Sequence, residues 1–151
     1  VNAPVDMELV GRGALFHDLG KVKTHAIEHG RIGAELGVAL GLPQEVRDVM
    51  EKHIRGGLSP QEARELGLPD RDYALHRLEE RIIIYADRLV DIITDPYGLV
   101  ASAQEAQDRF QEILQAYPRY GKNAPTMARY FEYHREIQAL IAEADNESLP
   151  V

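Results

Sequence analysis

The sequence predicts an all-α, single-domain helical bundle. Three observations lead there. Apolar residues recur at helical rather than alternating spacing along nearly the whole chain. Capping boxes, prolines and glycines punctuate it at helix-length intervals. A length of 151 residues is that of one domain with a core of its own.

A first helix is expected from about Asp6 to Phe16. Thr24 has the character of an N-cap for a second, which reaches Leu40 with Ile27, Ile32, Leu36 and Leu40 as its apolar positions. Gly41 stops it. Gly30, Gly33, Ala34 and Gly37 on that helix point to a close approach by a neighbour, or to a helix merely weakened by glycine. Pro43 suits the first turn of a third helix, which sets Val46, Val49, Met50 and Ile54 on one face and ends at Gly56-Gly57. Ser59-Pro60-Gln61-Glu62 has the spacing of a capping box, so a short helix follows to Leu66. A long helix spans Leu78 to Ile93 and closes at Asp95-Pro96. Ser102-Ala103-Gln104-Glu105 is a second box, opening a helix to about Ala116 that Tyr117-Pro118 stops. Pro125 begins a last amphipathic helix through Ala144. The domain is thus expected over 1–144, with 145–151 as a frayed tail.

Composition narrows the function classes. Hydrophobic residues at 44% and charged residues at 28% describe a soluble globular chain rather than a disordered one. A net charge of −8 carries no strong nucleic-acid signal. With no cysteine, disulfides and thiolate metal sites are excluded, and any metal must rest on His, Asp and Glu. The absence of cysteine also fits a reducing cytoplasm, the expected location. Apolar runs such as Ile82-Ile83-Ile84-Tyr85-Ala86 are too short to span a bilayer, so no membrane partner is expected.

The run Gly13-Ala14-Leu15-Phe16-His17-Asp18-Leu19-Gly20-Lys21 is the most informative stretch. An apolar helix end delivers an adjacent His-Asp pair, breaks at a glycine and then offers a lysine. A nitrogen ligand, a carboxylate and a cation at one helix terminus are what metal-assisted chemistry on a phosphate ester needs. His29, His53 and Asp87 recur on or near other expected helices, each among apolar neighbours, and helical bundles gather metal ligands in this way. Such a nitrogen–oxygen set accepts Mn, Fe, Ni, Co, Mg or Zn. Any one histidine on an apolar face also reads as a hydrogen-bonded core residue, and Lys21 also reads as a surface lysine.

His25 and His29 are four apart and share a helical face. His25 is then a substrate contact, a proton donor or an exposed first-turn residue. Arg31, Lys52, Arg55 and Arg88 flank the candidate ligands, where they either supply a local positive field for phosphate or form ordinary salt bridges. His25, Arg55 and Arg88 are the substrate-binding candidates. Gly56 and Gly57 are expected to leave backbone amides free nearby. Asp91, one turn beyond Asp87, supports it or is a solvated helix-end acid. His76 reads as a capping or surface residue, and His134 as a core or interface histidine. Tyr130 and Tyr133 on the last helix either pack a homodimer or finish the monomer core.

The string Ala14-Leu15-Phe16-His17-Asp18-Leu19-Gly20-Lys21, followed by Thr24-His25-Ala26-Ile27-Glu28-His29-Gly30 and then by Tyr85-Ala86-Asp87, resembles an HD-domain metal-dependent phosphohydrolase. The stretch from Glu62 to Asp87, with Leu66-Gly67-Leu68-Pro69 and Leu78-Glu79-Glu80-Arg81-Ile82, resembles a small stand-alone subgroup found in archaea and bacteria. The resemblance covers the first two-thirds of the chain and implies an HD-type helical bundle. It implies that His17, Asp18 and Asp87 bind metal, and that His29 and His53 serve a second ion with Asp18 bridging the two. It implies that Lys21 contacts phosphate or the attacking water, so that Asp18 and Lys21 are the catalytic pair. One or two divalent metal ions are the implied cofactors. The implied substrate is a nucleotide, cyclic nucleotide or small phosphomonoester. Gly30-Arg31-Ile32 follows His29 where the cyclic-di-nucleotide branch carries Gly-Tyr-Pro, which points away from that substrate. The family pattern also begins with a histidine on an earlier helix, and none precedes His17. Either an upstream N-terminal helix is missing or the site lacks that ligand. The alternative function is accordingly a degenerate HD module that binds a nucleotide or a partner protein without catalysis.

Overall fold

The computed structural model describes residues 4–147. Among them are nine α-helices, two short 3-10 turns and no β-strand, only an isolated antiparallel bridge between Leu58 and Tyr73. The all-α HD-type bundle is thus observed. The chain divides into two compact units, Asp6–Ile84 and Tyr85–Val151 with Val1–Val5.

In the first unit, α1 is Met7–Phe16, capped by the Asp6 side chain, which accepts from the Leu9 amide at 3.0 Å. A 3-10 turn, Leu19–Val22, follows. The second helix, α2, is His29–Ala39 and starts later than Thr24 leads one to expect. The Thr24 hydroxyl accepts from the Ala26 amide, making a local turn instead of a cap. His25 therefore lies outside α2, and the shared face with His29 does not exist. The face that α2 buries is its glycine face, Gly30, Gly33 and Gly37, while Val38 and Leu40 are exposed. These glycines give the close approach the small residues indicated. A Cβ on Gly30 would meet the Glu51 and Met50 carbonyl oxygens of α3 at 3.0 and 3.1 Å.

α3 is Gln44–Lys52, with Val46, Val49 and Met50 buried, and a second 3-10 turn, Ile54–Gly56, extends it. α4 is Pro60–Glu65 and has both hydrogen bonds of the Ser59–Glu62 capping box. Ile54, Leu58, Ala63 and Tyr73 form a small core here, joined by Ile27, Leu66 and Leu68. α5 is Leu78–Ile93, as the periodicity predicts. Its residues 78–84 belong to this unit.

In the second unit, residues 85–93 of α5 are joined by α6 (Ala103–Asp108), α7 (Phe110–Ala116), α8 (Pro118–Gly121) and α9 (Ala124–Glu147). The helix expected from Ser102 to Ala116 is broken at Arg109, whose guanidinium is held by Glu105, Glu112 and the Leu99 carbonyl. Pro118 opens the short α8 rather than only ending α7. α9 continues to Glu147, past Ala144; residues 148–151 lie outside the described residues. Tyr130 is buried beside Phe110 and Tyr133 is buried against Tyr130, so both belong to this unit's core.

His134 packs face to face on Phe110 with ring centroids 5.0 Å apart, and its Nδ1 accepts from the Tyr85 hydroxyl at 2.6 Å. It is the satisfied core histidine that its neighbours indicate. Burial lowers its pKa below the usual 6.5. The unfolded chain therefore takes up a proton at a higher pH than the folded one. Its contribution to stability is complete above about pH 6.5 and is lost as pH falls below that value. Replacing His134 by Gln is expected to shrink the fall in urea midpoint between pH 7.5 and pH 5.5 without abolishing it, because His29 is lowered by burial as well. An unchanged fall would show that His134 does not titrate in this way.

Candidate metal centre

Two helix C-termini supply this site. His17 is the C-cap of α1 and His53 the C-cap of α3, and at such ends the backbone carbonyls place partial negative charge. Asp18 follows His17 directly, and His29 opens α2. Gly20 brings these pieces together. It packs so closely on the first turn of α2 that a Cβ there would sit 1.8 Å from the His29 carbonyl oxygen.

The three histidines share one device. His17 Nδ1 donates to the Ala14 carbonyl at 2.7 Å, His29 Nδ1 to Ala26 at 2.8 Å, and His53 Nδ1 to Met50 at 2.7 Å. A carbonyl only accepts, so each Nδ1 carries the proton and each Nε2 of the neutral ring presents a lone pair. All three Nε2 atoms converge on Asp18. His29 and His53 approach Oδ1 at 3.5 and 3.2 Å, and His17 approaches Oδ2 at 3.3 Å. His29 Nε2 and His53 Nε2 stand only 2.8 Å apart. Facing lone pairs around a carboxylate repel unless a cation or proton lies among them. This donor set fits a divalent metal of the borderline class, with the outer ring nitrogens fixed as metal-ligating histidines require. Ligand atoms of Asp18, His29 and His53 lie within 4.8 Å of one another.

The Lys21 ammonium donates to Asp18 Oδ2 at 3.1 Å. Burial alone raises the Asp18 pKa, but the neighbouring His17 and His53 and the bond from Lys21 outweigh it and hold the carboxyl well below the usual range. Burial lowers His29, with the neighbouring His53 adding to the effect. At neutral pH the site therefore offers an ionised carboxylate and a neutral His29 imidazole, the forms in which both bind metal.

His17, Asp18, Lys21, His29 and His53 are thus brought together. His25 is exposed on the turn before α2, and among the described residues it has no hydrogen-bond or ion-pair partner. Arg55 is half-buried in the 3-10 turn after His53. The amides of Gly56 and Gly57 donate to the His53 and Ile54 carbonyls and are not free. Arg31 is paired with Glu35 at 2.7 Å. Asp87 and Arg88 lie on the part of α5 that belongs to the second unit. Asp87 is half-buried. The Arg88 guanidinium lies 4.8 Å from the centroid of the Tyr130 ring, donates to its hydroxyl at 3.2 Å and pairs with Asp91 at 3.6 Å. His76 is an exposed partner of Asp72. Sequence reasoning missed the Ala14, Ala26 and Met50 carbonyls, although each stands three residues before its histidine.

An all-α chain with an adjacent His-Asp pair at such a centre has the features of an HD domain. The chain belongs to the HD domain family, which it matches over residues 1–92. An uncharacterised protein of Methanocaldococcus jannaschii is 39% identical over 137 residues, covering 91% of this chain and 75% of its own length. The tRNA (cytidine(56)-2'-O)-methyltransferase of Thermoplasma volcanium is 39% identical over 142 residues, 94% of this chain but 38% of that protein. The enzyme of the same name from Picrophilus torridus is 39% identical over 89 residues, 59% of this chain and 26% of its own. The chain thus spans well under half the length of either methyltransferase. No solved structure matches it. Among the described residues no helix is long and apolar enough to cross a membrane.

Proposed function

We propose that this chain is a divalent-metal-dependent phosphohydrolase acting on a nucleotide, a cyclic nucleotide or a small phosphomonoester. The observation that carries the reading is the convergence of three imidazole lone pairs on the Asp18 carboxylate, each ring locked by its own carbonyl. When bound, a divalent cation would supply Lewis acidity, lowering the pKa of water towards ~7 and offsetting charge on a phosphoryl group. Asp18 turns Oδ2 towards His17 and Oδ1 towards His29 and His53, so its two oxygens would help these histidines hold one or two divalent ions. Asp87 enters the ligand set through the family resemblance alone. The tRNA in the names of two relatives supports a nucleotide-like substrate; methyl transfer is said of those proteins only.

Lys21 holds the position of the phosphoryl contact. Its ammonium is placed by Asp18, and it offsets charge that develops on the transferring group. Lys21→Ala is expected to lower kcat by about 100- to 1,000-fold, the usual cost of removing one such donor. Metal content should stay unchanged, since lysine is no ligand. Loss of metal in that variant would assign Lys21 a structural role instead.

The deciding experiment is metal content per chain in protein purified without chelator or nickel resin, followed by a phosphate-ester screen with the metal found. Stoichiometric metal together with turnover supports the reading. The rival is a binding module without catalysis, favoured by the inclusion of a homologous segment in larger chains named for another activity. Nucleotide binding with no turnover under any metal would establish the rival.

A further inference from the structure

The part of α5 in the second unit is apolar on the side that meets solvent. Ala86, Val90 and Ile93 follow one another at intervals of four and three residues, so they share one face of the helix. All three are exposed, Val90 to 53% and Ile93 to 38%. Tyr97, four residues further on, is 84% exposed in the turn that closes the helix, where the Gly98 amide donates to the Asp95 carbonyl. The inner face carries Tyr85 and Ile92, both buried. A surface helix is ordinarily apolar towards its core and polar towards water. One that is apolar on both sides, with its outer row at alternating steps of four and three, has the pattern of a helix that packs on a second helix.

The two ends of the row differ in charge and bulk. Asp87 and Asp91, the latter paired with Arg88, lie along the Ala86–Val90 end. At the other end the partly exposed Arg119 guanidinium, anchored by Asp95, lies 5.8 Å from the centroid of the Tyr97 ring. We propose that this row is the contact between two copies of the chain, packed α5 against α5 and antiparallel about a two-fold axis. Such a contact is self-complementary, because what one copy offers the other receives. Val90 meets Ile93 of the second copy, and Ala86, the smallest member, meets Tyr97, the largest. Arg119 comes to the end of the second helix that carries Asp87. The two Asp87 carboxylates are then held about 13 Å apart along the helices, beyond the reach of strong repulsion in physiological salt. Parallel packing would set Asp87 on Asp87 and Tyr97 on Tyr97. The four residues expose on the order of 400 Å² in each copy. With a polar rim the pair buries about 1,000–1,200 Å², the size of a reversible contact rather than an obligate one.

Sedimentation velocity of the full chain over about 1–500 µM tests the contact, a range that spans the affinity of a small reversible interface. Wild type is expected to pass from monomer to dimer across it. Val90→Lys and Ile93→Glu should each associate at least about 10-fold more weakly, because either change sets an unpaired charge against an apolar side chain. Both should melt with the wild type at low concentration, since each position is exposed. An equimolar mixture of the two variants should recover the dimer. Antiparallel packing sets the new ammonium of one opposite the new carboxylate of the other and keeps one native Val90–Ile93 contact. Recovery on mixing separates a lost contact from a lost fold. A wild type that stays monomeric throughout would overturn the proposal and leave the row to a different protein. A dimer that both variants keep would place the contact elsewhere and overturn it too, as would a mixture that does not recover. None of these outcomes touches the phosphoester reading.

Discussion

Asp18→Ala is expected to abolish metal binding and turnover together. Its carboxylate is an anion at the meeting point of three imidazole Nε2 atoms, and neutral rings alone offer a dication no charge to balance its own. Loss of this group should weaken metal binding beyond the roughly 10- to 100-fold that follows removal of outer partners. Stability gives a second readout. A ligand at a hundred times its dissociation constant stabilises the folded state by about 2.7 kcal/mol. For a chain of this size that is about 5–10 °C in unfolding temperature. A chelator should lower the wild-type midpoint by that amount and leave Asp18→Ala unmoved. Full activity in Asp18→Ala would sink the assignment.

Gly20→Ala is expected to be severely damaging. The added carbon would lie 1.8 Å from the His29 carbonyl oxygen and 2.8 Å from the Gly33 amide nitrogen, both backbone atoms. No side chain is available to swing away, so the 3-10 turn must lift from α2. Over-packing in a core costs about 1–3 kcal/mol, and a clash with rigid backbone belongs at or above the top of that range. A fall of about 6–12 °C in unfolding temperature follows. The same movement draws Asp18 away from His29, so metal affinity should fall even where the variant remains folded. Unfolding and metal binding indistinguishable from wild type would refute this packing.

Helices whose ends carry their own chemistry were legible from the sequence. The Ser59 capping box, the Asp6 start and the Leu78–Ile93 span all stand as read, because the residues that set them are neighbours in the chain. Thr24 misled because a hydroxyl that caps a helix and one that closes a local turn look alike in sequence. The choice between them is made by the 3-10 turn packing on α2. The break at Arg109 depends on a guanidinium reaching back to Leu99, which periodicity does not register. The His-Asp doublet, His29, His53 and Lys21 were visible as residue types in a pattern. The buried glycine face of α2 was visible only as a hint, because small residues weaken a helix as readily as they admit a neighbour.

The carbonyl tether on each histidine has a consequence for how the centre fills and empties. Each ring is oriented by the peptide three residues before it, so the instructions for its aim are written within a single turn of chain. No distant partner must first be recruited to turn a ring into place. An arriving ion then meets donors already aimed, and little ordering remains to oppose its capture. Departure leaves the tethers unbroken. Cycles of loading and stripping should therefore be reversible without passing through an unfolded state, and the pace of exchange falls to the ion's route in and out.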